Sequence, residues 1–111
     1  MRVAIPCENN RVAQHFGRCP GYAIFDIEEG KIIKKEIIAN PGHEPGFLPK
    51  FLAEKGVQKI ICCGIGPRAV QLFESLGIEV IAGVEGNIEE AIREFIEGKL
   101  KSDFSKCEHF Q

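Results

Sequence analysis

The stretch VAQHFGRCPGY (12–22) places an imidazole, a glycine, a guanidinium and a thiol almost side by side, at His15, Gly17, Arg18 and Cys19. Imidazole nitrogens and thiolates are the ligands of iron–sulfur, copper and zinc chemistry rather than of magnesium or calcium. A guanidinium pairs with anions, and a glycine lets backbone come close to a bound group. The same chemical types recur at Cys7, Cys62, Cys63, Cys107, His43 and His109. Five cysteines in 111 residues is a high count. In a reducing compartment structural disulfides are not expected, which leaves packing, metal binding or redox chemistry. No C-x-x-C spacing occurs, so zinc-ribbon and thioredoxin-type readings lose their support.

A second signal is GIGPRA (64–69), which fits G-x-G-x-x-A at a strand-to-helix junction. Glu85 follows about 20 residues later, where a ribose partner would stand. Pro67, however, removes an N–H where a phosphate would need donors. A close β–α turn built from small residues is therefore the preferred reading, with a helix terminus still able to attract an anion.

The elements that must position these groups are legible from periodicity. RVAIPC (2–7), YAIFDIEE (22–29) and KIIKKEIIA (31–39) read as three strands, the last two joined at Glu29-Gly30 by a tight hairpin. Leu48, Phe51 and Leu52 share a helical face closed by Gly56. QKIICCG (58–64) reads as a buried central strand and IEVIAG (78–83) as the last one. Between them Pro67 opens a helix with an apolar stripe of Ala69, Val70, Phe73 and Leu76. Asn87 caps a final helix that buries Ile88, Ala91, Ile92, Phe95 and Ile96. The order βββαβαβα, an antiparallel meander followed by right-handed crossovers, predicts a mixed five-stranded sheet ordered 3-2-1-4-5 with helices on both faces. That is the topology of a ribonuclease H-like α/β fold. Residues 1–100 are expected to form a single domain, with 101–111 as a polar tail.

In such a sheet the carboxyl ends of the first and fourth strands form a switch point, the preferred place for a ligand. Cys7, the His15–Cys19 loop, Asn40 with His43, and Cys63 with its GIGP turn all belong to that end. Cys62 reads as a small core hydrophobe. Cys63 alternates to the other face beside the turn, where ligand and filler both fit. Cys7 fits packing at a strand end equally well, and a lone surface histidine such as His43 usually has no role. Cys19, in a glycine- and proline-flanked loop, has less reason to be core. Cys107 and His109 form a C-x-H pair able to fold back over the site.

A net charge of −2 without a basic block argues against a nucleic-acid partner. No apolar run approaches the roughly 20 residues needed to span a bilayer, and the N-terminus lacks the apolar core of a signal peptide, so a cytoplasmic location is expected. Two-metal nuclease chemistry needs converging carboxylates, which the first and fourth strands do not carry.

Taken together, VAIP, VAQHFGRCPGYAIFDIEEG, ANPG, GVQKIICCGIGPRAVQLFESLGIEV and IEEAIREFIEGKL resemble the dinitrogenase iron–molybdenum cofactor biosynthesis family, the group around NifX and the carboxyl-terminal domain of NifB. The likeness runs to about Leu100 and implies a ribonuclease H-like fold. It also implies a non-catalytic role in binding, storing or transferring an iron–sulfur or molybdenum-containing cluster, with cluster-assembly or acceptor proteins as partners. The histidine of the family's HFG motif corresponds to His15, and its GIGP turn to Gly64–Pro67. The chemistry adds Cys19, Cys63, Cys107 and His109 as ligand candidates, with Cys7 and His43 behind them. Arg18, Gly17, Gly64 and Gly66 would support an anionic cluster. A monomer or weak homodimer is expected. The competing readings are a nucleotide- or phosphate-binding regulatory module built on Gly64–Ala69 and a protein-interaction adaptor whose cysteines only pack.

Overall fold

The computed structural model describes residues 1–42 and 46–106. The elements are β1 (Arg2–Glu8), β2 (Arg11–Val12), a 3₁₀ turn (Phe16–Arg18), β3 (Gly21–Glu28), β4 (Lys31–Ala39), α1 (Phe47–Glu54), β5 (Lys59–Ile61), α2 (Pro67–Ser75), β6 (Glu79–Ile81) and α3 (Ile88–Ile96). They form a mixed α/β structure in which the sheet runs β4-β3-β1-β5-β6 and β2 pairs with β1 off that path. β1 pairs antiparallel with β3, and β3 with β4; β1 and β5 are parallel, as are β5 and β6. The central position of β1 follows from its composition, since Val3, Ala4 and Ile5 are all fully buried between two apolar layers.

Alternation along the strands splits the core in two. Val3, Ile5, Cys7, Ala23, Phe25 and Cys63 face α3, which contributes Ile88, Ala91 and Ile92. Ala4, Tyr22, Ile24, Ile60 and Cys62 face α1 and α2, which contribute Leu48, Leu52 and Phe73. Each fully buried Phe or Ile is worth roughly 1.5–3 kcal/mol relative to exposure, so these layers carry the fold. Asn87 caps α3 as its sequence position suggests: its Oδ1 accepts from the N–H groups of Glu89 (2.7 Å) and Glu90 (3.3 Å).

Three expectations change. The sheet has six strands rather than five, because β2 folds back on β1 through Asn9 and Asn10, both at positive φ (52° and 65°). Asparagine tolerates that left-handed conformation, but a two-residue strand leaves no periodicity to read. β5 and β6 are only three residues long, although pairing continues as loop: Cys62 donates to Ile81 O (2.9 Å) and Val84 to Cys62 O (3.0 Å). The segment after α3 is not a loose appendage over its described part. Asp103 N–H donates to Ala82 O, Ser102 Oγ accepts from Ala82 N–H, and the chain covers the outer edge of β6. Gly83 makes this possible: at φ +80° it sits so close that a Cβ would lie 2.3 Å from Asp103 O. No helix among the described residues is long and apolar enough to cross a membrane.

Asn87→Ala is expected to lower the unfolding free energy by about 1 kcal/mol in urea titrations, and Asn87→Asp by much less, because only the alanine removes the cap. Gly83→Ala is expected to cost roughly 1–3 kcal/mol from backbone strain and to speed amide exchange at Asp103, whose bond to β6 must break.

Candidate functional site

At the carboxyl end of β5 the backbone of Gly64 joins two loops. Its N–H donates to Gln14 O and its carbonyl accepts from Phe16 N–H, both at 2.9 Å, so His15 lies opposite Gly64 in a short parallel bridge. The imidazole-bearing loop and the GIGP turn are therefore one structure. Phe16 anchors it from below, with its ring 5.1 Å edge-on to Phe73 of α2 and 5.7 Å from Tyr22 of β3. Its carbonyl accepts from the Tyr22 hydroxyl (3.0 Å) and the Cys19 thiol (3.4 Å). From the end of β4, Asn40 Nδ2 donates to Cys19 O (2.9 Å) and to Gly17 O (3.5 Å). Side chains from three elements thus fix the turn while His15 stays partly accessible.

Between this turn and the start of α2 lies an open cleft of about 300 Å³. Its polar side holds His15, Gly17, Arg18, Gly64, Gly66 and Arg68, over an apolar floor that includes Leu48 and Leu72. Two cations border it and, among the described residues, no carboxylate does. Neither Arg18 nor Arg68 forms an ion pair with a described residue. Arg68 is the second residue of α2, at the positive end of the helix dipole, where a cation is electrostatically disfavoured unless an anion is shared there. Gly17 and Gly66 have no heavy atom within 4 Å of a hypothetical Cβ, and neither has a positive φ. The fold does not demand glycine at either place; leaving out the side chain simply keeps the cleft wide.

Of the residues singled out by sequence, His15, Gly17, Arg18, Gly64 and Gly66 come together here. The described cysteines do not line this cleft. Cys19 is 4% exposed and packs in the α1/α2 layer, contrary to the expectation for a polar loop, because the 3₁₀ turn that buries Phe16 turns the Cys19 thiol inward with it. Cys7 packs on the α3 side. Burial pushes the Cys7 and Cys19 thiols above their ordinary range and Cys62 up to about 12. Cys7, Cys19 and Cys62 are free, whereas Cys63 is disulfide-bonded, a correction to the expectation that no disulfide would form. His43, Cys107 and His109 lie outside the described residues. Among the described residues no three His, Cys, Asp or Glu side chains are grouped closely enough to hold a metal ion. Sequence reading missed Arg68 and the gripping role of Asn40. Arg68 had a signal: a cation directly after G-x-G-P occupies the wrong end of a helix unless something negative is bound.

The family described as dinitrogenase iron-molybdenum cofactor matches residues 1–98. An uncharacterised protein of Methanocaldococcus jannaschii is 42% identical over 106 residues, covering 91% of this chain and 90% of the relative. The crystal structure of PH0822 superposes with a TM-score of 0.87 at 43% identity, covering 94% of this chain and 96% of that one. The apo form of the orange protein from Desulfovibrio gigas has a TM-score of 0.79 at 24% identity over 92% of each chain, which shows a shared fold. With a family match across nearly the whole domain and relatives above 40% identity, this chain belongs to the dinitrogenase iron–molybdenum cofactor family.

Proposed function

We propose that this chain is a carrier, built on a ribonuclease H-like fold, that binds an anionic metal–sulfur cluster in the cleft and hands it to an assembly or acceptor protein. The observation that carries the reading is the composition of the cleft: one imidazole and two guanidiniums at a helix N-terminus, with neither thiol nor carboxylate among its described lining residues. A cluster of iron and sulfide, with or without molybdenum, brings its own sulfide ligands and a net negative charge. Arg18, Arg68 and the amino end of α2 would balance that charge, and His15 would supply a nitrogen ligand. One protein ligand and a charged rim suit a cargo that must leave again, whereas a closed four-cysteine cage suits one that stays. Family membership agrees with cofactor handling rather than catalysis. Within this reading the protein works in the cytoplasm and performs no chemistry of its own. His43, Cys107 and His109 stand as additional ligand candidates. Cys7 and Cys19 stand behind them, since each would have to leave its buried place to reach the cargo, and Cys63 behind those, since its disulfide would also have to be reduced first.

The phosphate reading shares the same cations and helix terminus, so the experiment must separate the two. Anaerobic incubation with iron, sulfide and molybdate is expected to give a protein-bound chromophore with stoichiometric metal. His15→Ala should weaken retention by about tenfold or more, the usual cost of losing a ligand or its orienting partner. Gly66→Val should block uptake at a cost to the fold of about 1 kcal/mol, since a Cβ there meets no heavy atom within 4 Å and the loss is that of a better N-cap residue. The carrier reading is overturned if no chromophore forms, or if both variants load as the parent does. A thermal shift with nucleoside phosphates that Gly66→Val abolishes would favour the phosphate-binding module instead.

The thiols supply an independent check. In the native protein Cys7, Cys19 and Cys62 are expected to react with iodoacetamide at neutral pH at least about tenfold more slowly than in urea, since burial keeps them as thiols. Rapid native labelling of Cys19, read by peptide mass, would show instead that its thiolate reaches the surface.

A further inference from the structure

The two edges of the sheet are treated differently. The end of the β6 edge is covered by Ser102 and Asp103, which bond at Val80 and Ala82, while β4 at the other edge pairs, among the described residues, with β3 alone and is exposed at every residue but Ile38. A nine-residue strand with its outer edge open, carrying Ile32, Ile33 and Ile37 at 42%, 58% and 56% exposure, forms a template for another strand.

We propose that β4 pairs antiparallel with β4 of a second copy of this chain, about a two-fold axis through Lys35. The register follows from geometry and charge. A two-fold axis perpendicular to the sheet keeps each face on its own side, so opposed residues must share a face and the register slides only in steps of two. Lys35 and Ile37 lie opposite Phe25 and Ala23 of β3, on the α3 side. Lys34 and Glu36 lie opposite Asp26 and Ile24, on the other side. A bulge at Ile33, where the pairing with β3 shifts, places Ile33 with Lys35 and Ile37 by alternation.

Centring the axis on Lys35, the middle residue of Lys31–Ala39, pairs the stretch from Ile33 to Ile37 with its own copy, the part of the strand beyond the bulge in which opposed residues share a face. Lys34 then faces the partner's Glu36, and this pair occurs twice. Ile33 faces the partner's Ile37, also twice. Lys35 meets its own copy, but its ammonium is already drawn away to Glu89 of α3 and lies over the Phe25 ring. One step to either side opposes Lys34 to Lys34 or Glu36 to Glu36, and sets an isoleucine against Lys35. Lysines on an edge guard it against foreign strands. Glu36 between Lys34 and Ile37 makes this edge complementary to itself. Within one chain Lys34 and Glu36 are only loosely paired, at 3.7 Å and more than half exposed, so both are free to re-pair across the axis.

Sedimentation velocity over a roughly hundredfold range of concentration should show the mass rising from 12.3 kDa toward twice that value. Glu36→Lys and Lys34→Glu should each weaken association by about tenfold or more, since each sets two like-charge pairs across the axis. The double exchange Lys34→Glu with Glu36→Lys should restore it to within about threefold of the parent. Far-ultraviolet circular dichroism should be unchanged in all three, and melting read at a concentration where every variant is monomeric should fall by no more than a few degrees, the Lys34→Glu variants most because they set a carboxylate opposite Asp26 of β3. The proposal is overturned by a single monomer mass at every concentration. It is equally overturned by a dimer that ignores the single exchanges, or by a double exchange that fails to restore association.

Discussion

The site depends on the backbone of one residue. Gly64, buried at the end of β5, uses both its N–H and its carbonyl to hold Gln14 and Phe16, and so decides where His15 can be. Each such bond contributes only about 1 kcal/mol net, but leaving either buried group unpaired would cost more than making the bond gains. The loop is consequently fixed without spending any polar side chain on its own support at that point. Phe16 completes the arrangement by carrying the loop's apolar weight into the layer shared with Phe73 and Tyr22. The imidazole is left at the rim of a cleft because everything around it is tied down.

The charge distribution follows a similar economy. α2 points its amino end at the cleft and places Arg68 in its first turn, while the 3₁₀ turn ends on Arg18 across the gap. With no facing carboxylate among the described residues, the two guanidiniums and the helix terminus share one unmet preference, for an anion. The thiols are kept elsewhere, in the two apolar layers, where burial holds them protonated. A soft, negative cargo would meet nitrogen and charge at this cleft before it met sulfur.

Much of this was legible in the sequence. The run RVAIPC, the alternation in YAIFDIEE and the capped stripe after Asn87 each carry a period long enough to read, and each became β1, β3 or α3. The HFG loop and the GIGP turn were expected at one end of the sheet, and the hydrogen bonds of Gly64 join them. What escaped was whatever lacks a period or depends on distant packing. β2 is too short to show alternation. Leu76, expected on the buried stripe of α2, is 45% exposed because the helix ends one residue before it. Cys19 looks like surface when judged by its glycine and proline neighbours, and only the descent of Phe16 into the core takes it inward. Residues 102–106 look polar enough to be solvent-borne, yet the Ser102 hydroxyl and the Asp103 backbone N–H bond Ala82 at the end of β6, while the Asp103 carboxylate accepts from Ser105.

The two glycines at the rim have a bearing on how such a protein can change over generations. Substitution at Gly83 is felt by the chain itself, through Asp103, whereas a Cβ at Gly17 or Gly66 meets no heavy atom of the protein within 4 Å. Variation at these two positions is therefore screened by whatever occupies the cleft and hardly at all by folding. A lineage can narrow or reopen the cleft one methyl group at a time at a cost to the scaffold no larger than that of a weaker cap on α2. Under the carrier reading, guests of different girth would then fit the same scaffold.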